Sequence, residues 1–167
     1  MATQTIIPKI LPSLVFDNQA EEAVNFYVSV FKNSGIINII RSAEGQFVPK
    51  GQVSLIAFYL DGQEFRVANG GPTFKFSEGL SIYMNCETQE EIDEVWEKLL
   101  EGGQPQECGW LKDKFGVYWQ IAPSILWEMM KDPDTKKTQR VLNAIYQMQK
   151  LDIAEIQRAY NGESPEP

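Results

Sequence analysis

The chain has no histidine. That removes the side chain most often used as a general base, the commonest transition-metal ligand and every nucleophilic triad built on imidazole. Whatever chemistry occurs is left to carboxylates, Lys, Tyr and Cys. Cysteine is nearly as scarce: Cys86 and Cys108 are the only two, and they form no CxxC pair. Neither a disulfide framework nor a structural zinc site is expected from them, and both read as small buried hydrophobes. Basic patches are missing too, since Lys and Arg occur singly apart from Lys136-Lys137, while the net charge is −8. A nucleic-acid backbone or an anionic membrane would have to be approached against like charge, so neither is expected as a partner. No run approaches the ~18 apolar residues of a membrane span. The start, MATQTIIPKILPSLVF, lacks a basic stretch followed by an unbroken apolar one, and the expected location is the cytoplasm.

What is present is ordinary globular composition, with 43% hydrophobic and 23% charged residues over 167 positions, enough for one domain with an apolar core. KILPSLVF reads as a strand. In DNQAEEAVNFYVSVF, Ala23, Phe26, Tyr27, Val30 and Phe31 recur at helical spacing, with Asp17 or Asn18 as the cap. GIINIIRS and QVSLIAFYL follow as strands, and the Asp61-Gly62 dipeptide before QEFRVAN signals a hairpin. The unit is β-α-β-β-β.

The same order then begins again. LSIYMNCE is a strand, and TQEEIDEVWEKLLEGG is a helix opened by a Thr88–Glu91 capping box and ended by Gly102-Gly103. Moving the first helix by 69 positions lands its five apolar residues on Ile92, Val95, Trp96, Leu99 and Leu100. Two copies at this period imply a duplicated half-domain rather than a solenoid. The modules span about residues 6–70 and 79–123, forming one domain over 1–123. A helical extension over 124–161 follows, with Pro133 near the start of its middle helix and Asp152 and Gly162 bounding the last. Its stripe of Val141, Leu142, Ile145, Tyr146 and Met148 is expected to pack on its own domain. Residues 162–167 are expected to be a disordered tail.

The paired modules, together with AEEAVNFYVSVF, NGGPTFKFSE, NCETQEEIDEVWEKL and CGWLKDKFGVYWQIAP, resemble the vicinal oxygen chelate superfamily of glyoxalases and bleomycin-resistance proteins. Within it they resemble the PhnB-like branch, also labelled 3-demethylubiquinone-9 3-methyltransferase-like, over about residues 6 to 160. The resemblance implies an α+β fold in which two βαβββ modules curl into an open barrel around a cavity, with a homodimer helping to close it. In metal-dependent relatives, four inward side chains from the first and last strands of each module hold a divalent ion. Alternation in LSIYMNC puts Ser81, Tyr83 and Asn85 on one face, and the resemblance makes Ser81 the ligand position. The 69-residue shift gives Pro12 as its counterpart. Gln120 stands where relatives carry glutamate, and the matching place in QEFRVAN is Arg66, or Asn69 if a bulge shifts the register. Such a set offers no anionic ligand, so no metal and no cofactor is expected.

The function expected is that of a small-molecule binding protein with an aromatic or conjugated ligand. Tyr83, Tyr118, Trp110, Phe58 and Leu14 would line the cavity, and Ser81, Gln120, Arg66 and Asn69 would orient the ligand. The alternative is an enzyme of the same superfamily: a methyltransferase, as the family label suggests, or a lyase, isomerase or dioxygenase. NGGP, residues 69–72, precedes no helix and reads as a turn between modules rather than a cofactor loop. Acid–base roles for Glu64, Glu107 or Tyr118 stay open, and the spacing selects no catalytic residue. A third possibility is an interaction module that uses the C-terminal helices.

Overall fold

Asp61-Gly62 turns the chain as its composition requires, both residues taking positive φ (44° and 78°) in a two-residue loop of the kind that matches strand twist. The strands it joins are β3 (Val53–Leu60) and β4 (Gln63–Asn69), antiparallel with Leu60 opposite Gln63. Before them come β1 (Ser13–Phe16), α1 (Ala20–Val30) and β2 (Gly35–Arg41). Together they form a four-stranded sheet of order β1-β4-β3-β2 in which β1 runs parallel to β4. This is the first of two compact units, Met1–Lys75 and Phe76–Pro167, in the computed structural model, which describes residues 10–163. The start of the expected first strand, before residue 10, and the expected disorder of residues 164–167 lie outside the described residues.

The second unit repeats the plan with β5 (Ile82–Cys86), α2 (Gln89–Leu100), β6 (Gln104–Pro105), β7 (Trp110–Lys112) and β8 (Tyr118–Pro123). Its sheet has order β5-β8-β7-β6, again with the first and last strands parallel. The two βαβββ modules of the α+β fold are therefore present as expected. Both helices bury the expected stripe: Ala23, Tyr27 and Val30 in α1, and Ile92, Val95, Trp96 and Leu99 in α2. The Val, Ile and Leu side chains among them each contribute about 1.5–3 kcal/mol when fully buried.

The helix starts differ. The Thr88 hydroxyl accepts from the Glu91 N–H at 3.2 Å, and the Glu91 carboxylate reaches back to the Glu87 N–H at 2.8 Å. This is the expected reciprocal capping, with the return bond one residue further out. The expected cap of α1 is corrected. Neither Asp17 nor Asn18 performs it; Gln19 occupies the N-cap position with no side-chain bond, and the Ala20 N–H instead donates to Asn69 Oδ1 at 2.9 Å. The parallel pairing sets Phe16 opposite Asn69, so the end of β4 lies beside the start of the helix.

The repeat also carries an offset that helix matching alone hides. Helix starts Ala20 and Gln89 differ by 69 positions, but the buried strand ends Phe16 and Cys86 differ by 70. One extra residue separates β1 from α1. By cross-strand register Ser13 faces Arg66 as Tyr83 faces Gln120, so Arg66 is the counterpart of Gln120. The counterpart of Ser81 becomes Leu11, not Pro12.

The extension forms α3 (Ile125–Met130), α4 (Thr135–Ile145) and α5 (Ile153–Asn161). Val141, Met148, Leu151 and Ile156 pack with Ala122, Leu126 and Met129 in one buried cluster. Tyr146 leaves the expected stripe: it follows the last turn of α4 and is 58% exposed. Asp152 caps α5 by accepting from the Glu155 N–H at 2.8 Å, and Gly162 ends it in the left-handed conformation, as expected. The extension is also clipped to the sheet. Cys108 and Gly109 donate backbone N–H bonds to Met148 and Gln149 at 2.7 and 2.8 Å. At Gly109, with φ +80°, an added Cβ would sit 2.7 Å from the Ile121 carbonyl oxygen. No helix among the described residues is long and apolar enough to cross a membrane.

Asp113 organises the turn into β8. It is 3% exposed, and its carboxylate accepts from the Phe115 and Val117 N–H groups, both at 2.9 Å, and from Trp119 Nε1 at 2.8 Å. Replacing it by Ala strands three donors in the interior, so Asp113→Ala should cost about 3 kcal/mol or more. Denaturant titration of both proteins measures this, and a loss below about 1 kcal/mol would contradict it. A second prediction concerns acid. Asp132 accepts from the Tyr160 hydroxyl and pairs with Lys137 at 3.2 Å, tying α5 to the α3–α4 connection. The Tyr160 hydrogen bond, followed by one from the Asp134 backbone N–H, holds the Asp132 carboxyl at about 2. With its folded value depressed, this tie is at full strength above pH ~4 and fades as the pH falls towards 2. Asp132→Asn should abolish that part of the acid transition, read by circular dichroism from pH 6 to 2.

Candidate functional site

The second sheet has two unlike faces, and Trp119 decides which is which. With its indole N–H held by Asp113, Trp119 is 1% exposed and lies on the face packed by α2, with Leu111 and Ile121. Strand alternation then sends Gln120 to the opposite face. Cross-strand register places Trp110 on one side of Gln120 and Tyr83 on the other, making one row across β7, β8 and β5. The row on one side pairs Lys112 with Tyr118, and the row on the other pairs Asn85 with Ala122.

The polar centre of this face is a hydrogen bond in which Gln120 Nε2 donates to Ser81 Oγ at 2.7 Å. Both residues are half-buried. Among the described residues nothing else engages the Gln120 carbonyl oxygen, its second N–H or the Ser81 hydroxyl hydrogen, which leaves them to a third molecule. Around the pair, the Tyr83 ring meets the Trp127 ring at 5.8 Å and 53°, and Trp127 Nε1 donates to Asn85 Oδ1 at 2.8 Å. Lys112 Nζ lies 5.6 Å from the centre of the buried Tyr118 ring, within cation–π range. Desolvation, and secondarily Cys86, raises the Tyr83 phenol above its ordinary value, so it stays a neutral donor.

Of the residues expected at the site, the structure brings together Ser81, Tyr83, Trp110 and Gln120, with Tyr118 in the next row. Arg66 is exposed in the first unit, on the face of its own sheet that is the counterpart of the Gln120 face. Phe58, Leu14 and Asn69 are corrections. Phe58 is fully buried and stacks on Phe65 at 5.4 Å, and Leu14 pairs with the fully buried Val67. Both belong to the face covered by α1. Asn69 shares that face, where its oxygen caps α1 and its Nδ2 donates to the Val53 carbonyl at 2.9 Å. With both ends of the carboxamide engaged, it orients the fold rather than a ligand.

Sequence reasoning missed Trp127, whose available signal was a large aromatic in the short apolar run SILWEMM directly after the last strand. It also left Asn85 and Lys112 out of the site, although both lie on the face that alternation selects. Cys86 is fully buried, and desolvation, reinforced by Glu91 and Glu87, pushes its thiol up to about 12; it is no nucleophile at neutral pH. Among the described residues, no three His, Cys, Asp or Glu side chains come together as a metal-binding group.

A family model described as 3-demethylubiquinone-9 3-methyltransferase matches residues 8–122. The match stops short of the extension, which the resemblance was expected to include to about residue 160. The PhnB protein from Bacillus cereus is 39% identical, with a TM-score of 0.66, over 70% of this chain and all of its own. The fosfomycin resistance protein FosX from Listeria monocytogenes is similar in fold, with TM-score 0.57 and 17% identity over 77% of this chain and all of its own. Another structure of FosX, complexed with Mn(II) and sulfate ion, gives TM-score 0.52 and 15% identity over 76% of this chain and 98% of its own. No curated protein matches the sequence.

Asn69→Ala tests the separation of scaffold from site. It should destabilise the chain by about 1–3 kcal/mol through loss of the α1 cap and of the Val53 contact. Thermal unfolding gives the loss, and an unchanged melting temperature would return Asn69 to the list of free polar groups.

Proposed function

We propose that this chain, which belongs to the 3-demethylubiquinone-9 3-methyltransferase family, PhnB-like proteins of the vicinal oxygen chelate superfamily, is a metal-free small-molecule binding protein. The observation that carries this reading is the Ser81–Gln120 pair, set between Tyr83 and Trp110 on the sheet face turned away from α2. Two neutral polar groups between aromatic rings are what an orienting point in a mostly apolar ligand site requires. The ligand is aromatic or conjugated.

The donor chemistry supports the absence of a metal. Where metal-dependent relatives place ligands, this chain has the Ser81 hydroxyl and the Gln120 carboxamide, bonded to each other, while the first-module counterpart of Gln120 is the cationic Arg66. Divalent cations are held by imidazole, thiolate or several carboxylates. Two neutral groups bonded to each other do not fit one, and a guanidinium at the first-module counterpart supplies no lone pair to a metal, whatever FosX holds on its related fold.

One observation favours a second reading: the description of the matching family model names a methyl transfer. Thermal-shift measurements on the full chain separate the two. A shift with planar aromatic compounds and none with S-adenosylmethionine is expected, together with substoichiometric metal in the purified protein. A large shift with S-adenosylmethionine alone would replace the binding reading with the enzymatic one. One tightly held divalent ion per chain would overturn the metal-free assignment.

A further inference from the structure

The hydrogen-bond inventory of the Ser81–Gln120 pair specifies more than a polar spot. Gln120 Nε2 spends one hydrogen on Ser81 Oγ at 2.7 Å. Because the serine oxygen is the acceptor, its own hydrogen is directed elsewhere, and no other side-chain bond of either residue occurs among the described residues. The face therefore shows one strong acceptor, Gln120 Oε1, beside two donors, the second Gln120 N–H and the Ser81 O–H. An acceptor next to a donor is satisfied together by a ligand edge with N–H next to C=O, the pairing one amide makes with another.

Charge and shape narrow the class further. In the row Trp110–Gln120–Tyr83 no side chain is charged. The nearest cation by register, Lys112, lies over the Tyr118 ring. An anionic ligand centred on Gln120 would turn a carboxylate oxygen toward the Gln120 carbonyl and lose hydration without a counter-charge in the row. Side chains directly across adjacent strands stand about 5 Å apart at Cβ, so a flat ring reaching Gln120 would lie against Tyr83 or Trp110. Beyond Tyr83, Trp127 extends the aromatic wall at 5.8 Å.

We infer that this site selects neutral planar heterocycles with a lactam or imide edge, whose adjacent C=O and N–H pair with Gln120 and Ser81 while the ring stacks on Tyr83 or Trp110. The inference rests on the binding reading above and adds the polar edge of the ligand to it.

Three bicyclic probes of one shape test it on the full chain by tryptophan fluorescence titration: quinolin-2-one, N-methylquinolin-2-one and quinoline-2-carboxylate. Quinolin-2-one should bind about tenfold more tightly than its N-methyl form, the difference expected for one lost hydrogen bond at a half-buried site. Gln120→Leu should erase that preference, bringing the affinities of the two lactam probes together. Ser81→Ala serves as the second variant, should Gln120→Leu disturb the fold by circular dichroism, and should narrow the preference. Equal affinity for the lactam and its N-methyl form would overturn the inference and leave the binding reading standing. Preference for the carboxylate, removed by Lys112→Met, would do the same and point to an anionic ligand. Failure of all three probes to bind would overturn both.

Discussion

A single buried carboxylate fixes the part of the molecule on which the functional reading depends. Asp113 gathers two backbone N–H groups of the turn and the indole N–H of Trp119, and with those three donors its burial is compensated. Without them a carboxylate at 3% exposure would be untenable. The consequence propagates along β8 by parity. Holding Trp119 toward α2 leaves Gln120 no choice of face, because a one-residue slip would exchange the two sides of the strand. The polar pair on the face turned away from α2 is thus positioned by an interaction on the opposite side of the sheet.

Asn69 does for the first unit what Thr88 and Glu91 do for the second. One helix is capped from its own sequence, the other by a side chain 49 residues downstream that the parallel pairing delivers to its start. The difference coincides with the extra residue between β1 and α1, which removes the local cap geometry of the second module. Duplicated modules keep their apolar stripes, since any loss there costs core packing. They are freer to exchange the polar devices at helix ends, where several solutions satisfy the same N–H groups.

This explains what the sequence made legible and what it did not. The helices, the Asp61-Gly62 hairpin, the capping box and the α5 boundaries rest on short-range patterns, and all appear where those patterns place them. The face containing Ser81, Tyr83 and Gln120 followed from alternation in two strands whose ends were clear. Phe58, Leu14 and Asn69 were misplaced because assigning them needs the phases of β3, β1 and β4. For β1 the phase was taken from a helix-to-helix shift of 69 when the strands require 70, and for β4 the register was left open between Arg66 and Asn69. An aromatic or an amide in a strand looks the same in either phase, and only pairing partners decide. Trp127 was missed for another reason, since its aromatic in SILWEMM stands out but no local pattern reports that a helix after the last strand folds back to Asn85.

The extension is therefore part of the candidate site's construction. It follows the span matched by the family model, which ends at residue 122, and the Bacillus cereus protein is covered completely by 70% of this chain. Yet its Trp127 bonds Asn85 and leans on Tyr83, and its later residues pack against Ala122, the neighbour of Asn85 across β5 and β8. Its 148–149 segment supplies the carbonyls that hold the Cys108-Gly109 loop leading into β7 and Trp110. Both aromatic flanks of Gln120 thus depend on contacts from beyond residue 123: Tyr83 through the ring of Trp127, and Trp110 through the loop before it. The shared modules supply the polar pair, and the added helices set the walls on either side of it.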